Sequence, residues 1–223
     1  MEKYHKTDIA PVENENERDE TYQASNPQID FTRTRNNYNI IKRQRSYTQF
    51  INDKIEALDL PTKVRKDAVL MCSFVVGSDR EFFSRLSPSE QQQFFVDCTR
   101  FFAERYDEEN IISAVVHMDE TTPHLHLNLI PIAGGRLCAK KLFDRKALTA
   151  LQTDLHREVG AKWNLQRGKE GSQAKHLDTA EFKAKKIVEQ ARGKADSIIA
   201  EADHNAERKV KIAQIHSDGI VAS

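Results

Sequence analysis

Ten consecutive residues concentrate most of the groups in this 223-residue chain that could do chemistry. They run His117-Met118-Asp119-Glu120-Thr121-Thr122-Pro123-His124-Leu125-His126, with three imidazoles and two carboxylates. Neutral imidazole is a good donor to divalent metals, and three converging on one point would leave positions open for water or a substrate oxygen. Convergence needs strands. Ile111 to Val116 is a β-branched run and Leu125 to Ile130 alternates, so the segment reads as strand, turn, strand. A period of two puts His124, His126 and Asn128 on one face and Leu125, Leu127 and Leu129 on the other. A hairpin turning through Asp119 to Thr122 would bring His117 opposite His124.

One strand histidine is more often a satisfied structural residue than a ligand. Two on one leucine-backed face, with a third across the hairpin and two acids in the turn, would be desolvated without a partner unless a metal supplies it. The spacing is not the His-Glu-x-x-His helix of zinc proteases, and no Pro-Cys-x-x-Cys half of a zinc deaminase accompanies it.

Residues 117–126 resemble the His-x-Asp-Glu-x-x-Pro-His-x-His signature of the MobV-type relaxases, the plasmid mobilisation or recombination (Pre/Mob) enzymes, at each defined position. Ser25-Asn26, Asn37-Tyr38, Arg65-Lys66-Asp67-Ala68-Val69-Leu70, Phe143-Asp144-Arg145 and Arg167-Gly168-Lys169 extend the resemblance over about residues 14–185. It implies a relaxase whose metal ligands are His117, His124 and His126, holding Mn²⁺ or Mg²⁺, although three imidazoles also suit Zn²⁺. Asp119 and Glu120 would orient a ligand or the attacking group, and Arg18 would clamp phosphate. Asn37-Tyr38 matches a motif whose tyrosine contacts DNA, and Tyr106 matches a second DNA-contacting tyrosine by position, although it also closes an aromatic helix stripe.

One departure carries chemical weight. The family's His-Asn-x-Arg motif, whose histidine attacks the scissile phosphate, is Glu15-Asn16-Glu17-Arg18 here. A carboxylate attack would leave an acyl phosphate, more prone to hydrolysis than a phosphoramidate. Glu15 holds the nucleophile position; Asn14, His5 and Tyr22 are the alternatives.

The elements that must hold these residues can be read around them. Between Arg33 and Arg45, the cations Arg33, Arg35, Lys42, Arg43 and Arg45 are interleaved with Tyr38, a pattern that suits phosphate contacts and base stacking as well as a solvated loop. Arg65 leads into Ala68–Val76, which reads as a strand buried on both faces, and is balanced between a phosphate contact and a surface ion pair. Helices are predicted from Tyr47, from a Ser87-Pro88-Ser89-Glu90 start through the stripe Phe94, Phe95, Cys98, Phe101, Phe102, Tyr106, and from Ala147 to a Gly160 cap. The expected fold is α+β, an antiparallel-rich central sheet carrying the His-x-His site with helices packed on it, followed by a long C-terminal helix. The expected domains are a relaxase domain, 1–177, and a helical extension, 178–223, whose narrow alanine-rich stripe would pair two copies or link to another segment. The polar N-terminal residues, 1–37, read from composition as a solvated, partly disordered segment.

Bulk properties set the outer limits. Charge is balanced, 34 basic against 34 acidic residues, so any nucleic-acid binding must come from a local patch. Three scattered cysteines indicate reduced thiols, and no apolar run is long enough for a membrane span, so the expected location is the cytoplasm. The expected function is metal-dependent, strand-specific nicking and strand transfer on single-stranded or hairpin origin-of-transfer DNA. Its rivals are an origin-binding or recombination protein that lacks the family nucleophile, and a metal-dependent oxygenase, against which the basic segment speaks.

Overall fold

Alternating leucine and histidine after Pro123 can form a sheet only if one face is dry, and the register enforces this. The computed structural model describes residues 1–19, 22, 26, 28–168 and 179–221. The chain runs β1 (Glu2–Tyr4), α1 (Ile9–Glu17), a 3-10 helix (Phe31–Asn36), β2 (Tyr38–Ile41), α2 (Tyr47–Ala57), β3 (Met71–Gly77), α3 (Arg80–Ser84), α4 (Pro88–Tyr106), β4 (Ile111–His117), β5 (His124–Leu129), a small hairpin of β6 (Ile132–Ala133) and β7 (Arg136–Leu137), α5 (Ala139–Leu142), α6 (Arg145–Glu158) and α7 (Thr179–Val221). Five strands form one sheet in the order β1-β3-β5-β4-β2, and each pairing is antiparallel. The fold is therefore α+β, as the sequence predicts.

On one side of β5, His117 pairs with His124, Val115 with His126 and Ser113 with Asn128; on the other, Gly77, Val75 and Ser73 pair with the same three. A slip of one residue would turn the leucines to the histidine face. Leu125, Leu127 and Leu129 are fully buried, each worth about 1.5–3 kcal/mol out of water, so the register is locked.

The leucine face is closed by α4 and α6. Phe94, Phe95, Phe102 and Phe143 fill the interface, with edge-on contacts such as Phe82–Phe94 at 5.1 Å and Phe94–Trp163 at 5.9 Å. The expected α4 start is observed as a capping box between Ser87 and Glu90 with Pro88 in the first turn. On the histidine face, Ile9, Tyr47 and Ile51 from α1 and α2 pack over Met71, Ile112 and Ile130. This cover lies at the Met71 end of β3, and Val75 is 63% exposed. The strand expected at Ala68–Val76 with both faces buried is thus corrected: it begins at Met71 and is dry on both faces only through Phe74.

Two further expectations change. Among the described N-terminal residues, Glu2–Tyr4 joins the sheet edge as β1 and Ile9–Glu17 forms α1, which buries Ile9, so these are not a solvated coil. Gly160 is not a left-handed cap; α6 ends at Glu158 with Val159 as its C-cap, and a Cβ at Gly160 would come within 3.3 Å of the His156 ring.

Contacts divide the chain into two units, 1–168 and 169–223. In the second unit, α7 exposes Ile187, Val188, Ile198, Ile199 and Val210. The stripe has an eleven-residue period: Ile187 and Ile198, Val188, Ile199 and Val210, Ala191 and Ala202, Ala195 and Ala206. Three turns per eleven residues is about 3.67 per turn, close to the natural helix, so such a stripe stays on one face without left-handed supercoiling. Among the described residues no helix is long and apolar enough to cross a membrane. The three cysteines are free thiols.

Candidate metal centre

The turn between β4 and β5 is built around Arg18. It caps α1 in the left-handed conformation, φ 51°, which costs a non-glycine residue about 1–2 kcal/mol. The guanidinium offsets this by entering the turn: Nε and Nη2 donate to Asp119 at 3.0 and 3.2 Å, and Nη2 donates to Glu120 Oε1 at 2.8 Å. The Arg18 side chain is 3% exposed and that of Asp119 0%. Thr34 Oγ1 and Asn37 Nδ2 also donate to Asp119, at 2.9 and 2.8 Å. Burial alone would raise the Asp119 pKa, but the bonds from Arg18, then Asn37 and Thr34, hold it down at about 2. Glu120 is fixed on its other oxygen by Asn26 Nδ2 at 2.8 Å.

Beside this brace the three imidazoles converge. Ring centroids are 4.4 Å apart for His117 and His126, 4.9 Å for His124 and His126, and 5.4 Å for His117 and His124. Backbone carbonyls set two of the rings. His117 Nε2 donates to Asn16 O at 2.8 Å, leaving the Nδ1 lone pair, which now accepts from Arg18 Nη2 at 3.0 Å. His124 Nδ1 donates to Thr122 O at 2.9 Å, which turns Nε2 toward Glu120 Oε1 at 3.7 Å. Such carbonyl contacts orient the histidines of metal sites. Burial and then the Arg18 charge push His117 down to about 4, and burial followed by His117 and His124 pushes His126 well below its usual range. Both rings are therefore neutral and able to ligate at pH 7.

These donors fit a divalent ion. Ligand atoms of His117, His124 and His126 lie within 4.8 Å of one another, as do those of His117, Asp119 and Glu120. Arg18 carries one positive charge against two carboxylates, so the brace is net negative beside neutral imidazoles, and this favours a dication. An ion taken by His117 Nδ1 would cost Arg18 one contact of several. Asp119 is saturated by protein donors, whereas Glu120 lies 3.8 and 3.7 Å from two imidazoles and is the carboxylate nearer the ring cluster.

The other expected site residues fall in different places. Glu15 is exposed in the last turn of α1, its carbonyl accepting from Arg18 Nη1 at 2.8 Å, and its carboxylate lies outside the clustered ligand atoms. Asn14 gives its carbonyl to the Arg18 backbone, and the Tyr22 ring lies 6.0 Å from the Arg18 guanidinium. His5 is elsewhere. Tyr4 pairs with Met71 whereas His126 pairs with Val75, so about 13 Å of strand separates Tyr4 from His126, and His5 lies one residue further out. Arg65 belongs to that same far end and is held by Asp67 at 2.8 and 2.6 Å. Tyr106 packs on Phe143 and Phe102 in the leucine-face core, its phenol pushed up by burial, at the opposite end of β4 from His117.

The basic segment is mostly consumed by the fold. Arg33 bonds the Met118 and Glu120 carbonyls, Arg43 bonds Ile111 O and lies over Phe50, Arg45 pairs with Asp53, and Lys42 lies 3.7 Å from Glu17. Arg35 is exposed and makes no bond or ion pair among the described residues. Asn37 spends its whole amide on the turn, Nδ2 on Asp119 and Oδ1 on Met118 N. Tyr38 pairs with Val116 and packs on the leucine-face core, where burial raises its phenol to about 12. Ser25, Lys169 and the expected boundary at 177 and 178 lie outside the described residues.

Sequence reasoning missed several parts of the centre. Asn16 acts through its carbonyl, which no side-chain pattern reveals. Asn26 and Thr34 brace the turn from across the chain. Gly77 faces His124, where a Cβ would come within 3.2 Å of the His124 Cβ and 3.3 Å of Pro123 O; a glycine ending an apolar strand was the available signal.

A sheet that gathers three imidazoles beside a buried arginine and two carboxylates defines an α+β protein with a site that could hold a divalent ion. The family follows from likeness over most of the chain: it belongs to the Mob_Pre family of plasmid recombination enzymes, whose model matches residues 1–184. A plasmid recombination enzyme from a Bacillus species is 39% identical over 186 residues, 82% of this chain and 45% of that protein. A type 2 enzyme from Staphylococcus aureus is also 39% identical, over 82% of this chain and 44% of its own length. This chain therefore matches less than half the length of these curated relatives. The Mn-bound crystal structure of the MobM relaxase domain with pMV158 oriT DNA (22 nucleotides and a 3′-thiophosphate) superimposes with a TM-score of 0.78 at 37% identity, covering 82% of this chain and 95% of that one.

Proposed function

We propose that this chain is the relaxase portion of a plasmid mobilisation protein, which cuts one strand of DNA at an origin of transfer and carries the cut end to a new partner. The observation that carries the reading is the convergence of His117, His124 and His126 on one open sheet face, beside the Arg18 guanidinium at the end of α1. His117, His124 and His126 would hold the divalent ion, with Glu120 adjoining. When bound, a Mn²⁺ or Mg²⁺ ion polarises the scissile phosphate and stabilises charge developing on its oxygens. Asp119 keeps Arg18 charged and fixed, so that the guanidinium meets a phosphate without reorganising.

Glu15 supplies the attacking atom in this scheme. A carboxylate oxygen bonds to phosphorus, the bond to the 3′-oxygen breaks, and that oxygen leaves as the 3′-hydroxyl on taking a proton. The 5′-phosphate stays on Glu15 as an acyl phosphate until a 3′-hydroxyl displaces it. A second reading has one observation in its favour: Glu15 is an exposed carboxylate outside the ring cluster, so the chain would bind origin DNA without cutting it. Incubation of a supercoiled plasmid carrying the cognate origin with the protein and Mn²⁺ tests both. Relaxed product with a 5′ end linked to protein supports the enzyme, and tight binding with no nick supports the binding protein. The 1–177 relaxase domain and 178–223 extension are part of this proposal, with the α7 stripe pairing two copies.

A further inference from the structure

Among the phenylalanines whose side chains are described, Phe31 alone is exposed, at 58%. It opens the 3-10 helix that crosses the β4–β5 turn. Such a helix has three residues per turn, so positions three apart eclipse, and Phe31 lies in line with Thr34 and close to Asn37 beyond it. Thr34 and Asn37 both donate to Asp119. Phe31 is therefore on the side of this helix that faces the metal turn, one turn nearer its start, yet it buries little of its ring.

Its backbone is fixed. Asp30 N donates to Asp119 O at 2.8 Å immediately before it, Asp30 Oδ1 accepts from Thr32 N at 3.0 Å immediately after, and Arg33 bonds the carbonyls of Met118 and Glu120. An apolar ring held out to water on a rigid support forgoes the gain of burial, which a partner that covers it would recover. The local charge says which partner. Arg35, two residues past the fixed Arg33, is exposed and unengaged among the described residues, so one short helix carries both an exposed ring and an exposed cation beside a centre that, in the reading above, handles a phosphodiester.

Building on that reading, we propose that Phe31 is a base-stacking platform: an unpaired nucleobase next to the scissile phosphate lies on its ring while Arg35 meets the phosphate of the same strand. Phe31 thereby positions the strand and does not take part in bond making. Stacking tolerates any base with a π face but needs an aromatic partner, which distinguishes it from general apolar contact.

The test measures binding by fluorescence anisotropy with the full chain and Mn²⁺, using a labelled 22-nucleotide single strand of the pMV158 origin and a 22-nucleotide oligo(dT). Phe31→Ala is expected to weaken binding about tenfold or more, Phe31→Trp to restore it and Phe31→Leu to fail. A series of abasic substitutions along the strand is expected to contain one position that costs wild type the same factor and costs Phe31→Ala nothing further. Because the ring is exposed, the melting temperature of Phe31→Ala should stay within a degree or two of wild type. Wild-type binding with Phe31→Ala within twofold, or with Phe31→Leu as good as Phe31→Trp, overturns the stacking role alone. No wild-type binding to either strand overturns the functional reading and the stacking role with it.

Discussion

Asp119→Ala separates a carboxylate that holds the turn from one that holds a metal. In the fold Asp119 accepts two bonds from Arg18, one from Thr34 and one from Asn37, and neither Arg18 nor Asp119 meets water appreciably. Removing one partner of a buried pair costs about 3–5 kcal/mol, because the remaining charge is uncompensated. Glu120 still pairs with Arg18 at 2.8 Å, which holds the loss near the lower bound, while the orphaned Thr34 and Asn37 donors push it up. At about 2–4 °C per kcal/mol for a chain of this size, the melting temperature should fall by roughly 6–20 °C. Calorimetry or circular dichroism with EDTA present measures it, so that no metal contributes to the difference. The Asp119 pKa is lowered to about 2 in the fold, from an unfolded value of about 4, so its stabilisation is complete above pH 4 and is lost as the pH falls toward 2. Asp119→Asn should lose that acid dependence as well as the charge. A melting temperature for Asp119→Ala within about 2 °C of wild type in EDTA, with Mn²⁺ stabilisation abolished, would refute the structural role and make Asp119 a ligand.

Four other expectations follow from the same geometry. His124→Ala should abolish the rise in melting temperature that Mn²⁺ gives wild type, and any nicking, while the EDTA melting temperature stays within a few degrees; undiminished Mn²⁺ binding by calorimetric titration would remove the ring from the centre. Gly77→Ala should weaken Mn²⁺ binding through the 3.2 Å approach to the His124 Cβ, at about 1–3 kcal/mol of stability, and normal affinity would show that the strand yields. Glu15→His should raise the yield of protein-linked 5′ ends in a nicking reaction resolved on denaturing gels; no change would move the nucleophile to Asn14 or Tyr22, which lie at the same end of α1. Ile198→Glu with Ile199→Glu should convert a dimer to monomer by light scattering at micromolar concentration, and an unchanged mass would show that the α7 stripe does not pair two copies.

How much of this was legible in sequence depends on how far apart the cooperating residues lie. The hairpin was readable because alternation is local: one strand period fixes which face His124 and His126 take, and three leucines fix it energetically. The helices were readable for the same reason, through caps such as Ser87 with Glu90. The partners of the charged residues were not legible where they come from elsewhere. Arg33, Arg43 and Arg45 count as cations in a sequence window, but carbonyls of the β4–β5 turn, the carbonyl of Ile111 and the carboxylate of Asp53 consume them. Tyr106 and Tyr38 matched a pattern of tyrosines, yet the aromatic stripe of α4 packs Tyr106 into the leucine-face core and the sheet register puts Tyr38 there. The Arg18 brace shows the limit most clearly. Its members are separated from Asp119 by 101, 85 and 82 residues, so no window contains two sides of it, and only the topology that lays α1 and the 3-10 helix against one turn brings them together. That brace also explains why a strained left-handed arginine persists at the end of α1. The chain accepts a local conformational cost at Arg18 because moving the guanidinium away would take a partner at once from the Asp119 and Glu120 carboxylates, the Glu15 carbonyl and the His117 Nδ1 lone pair.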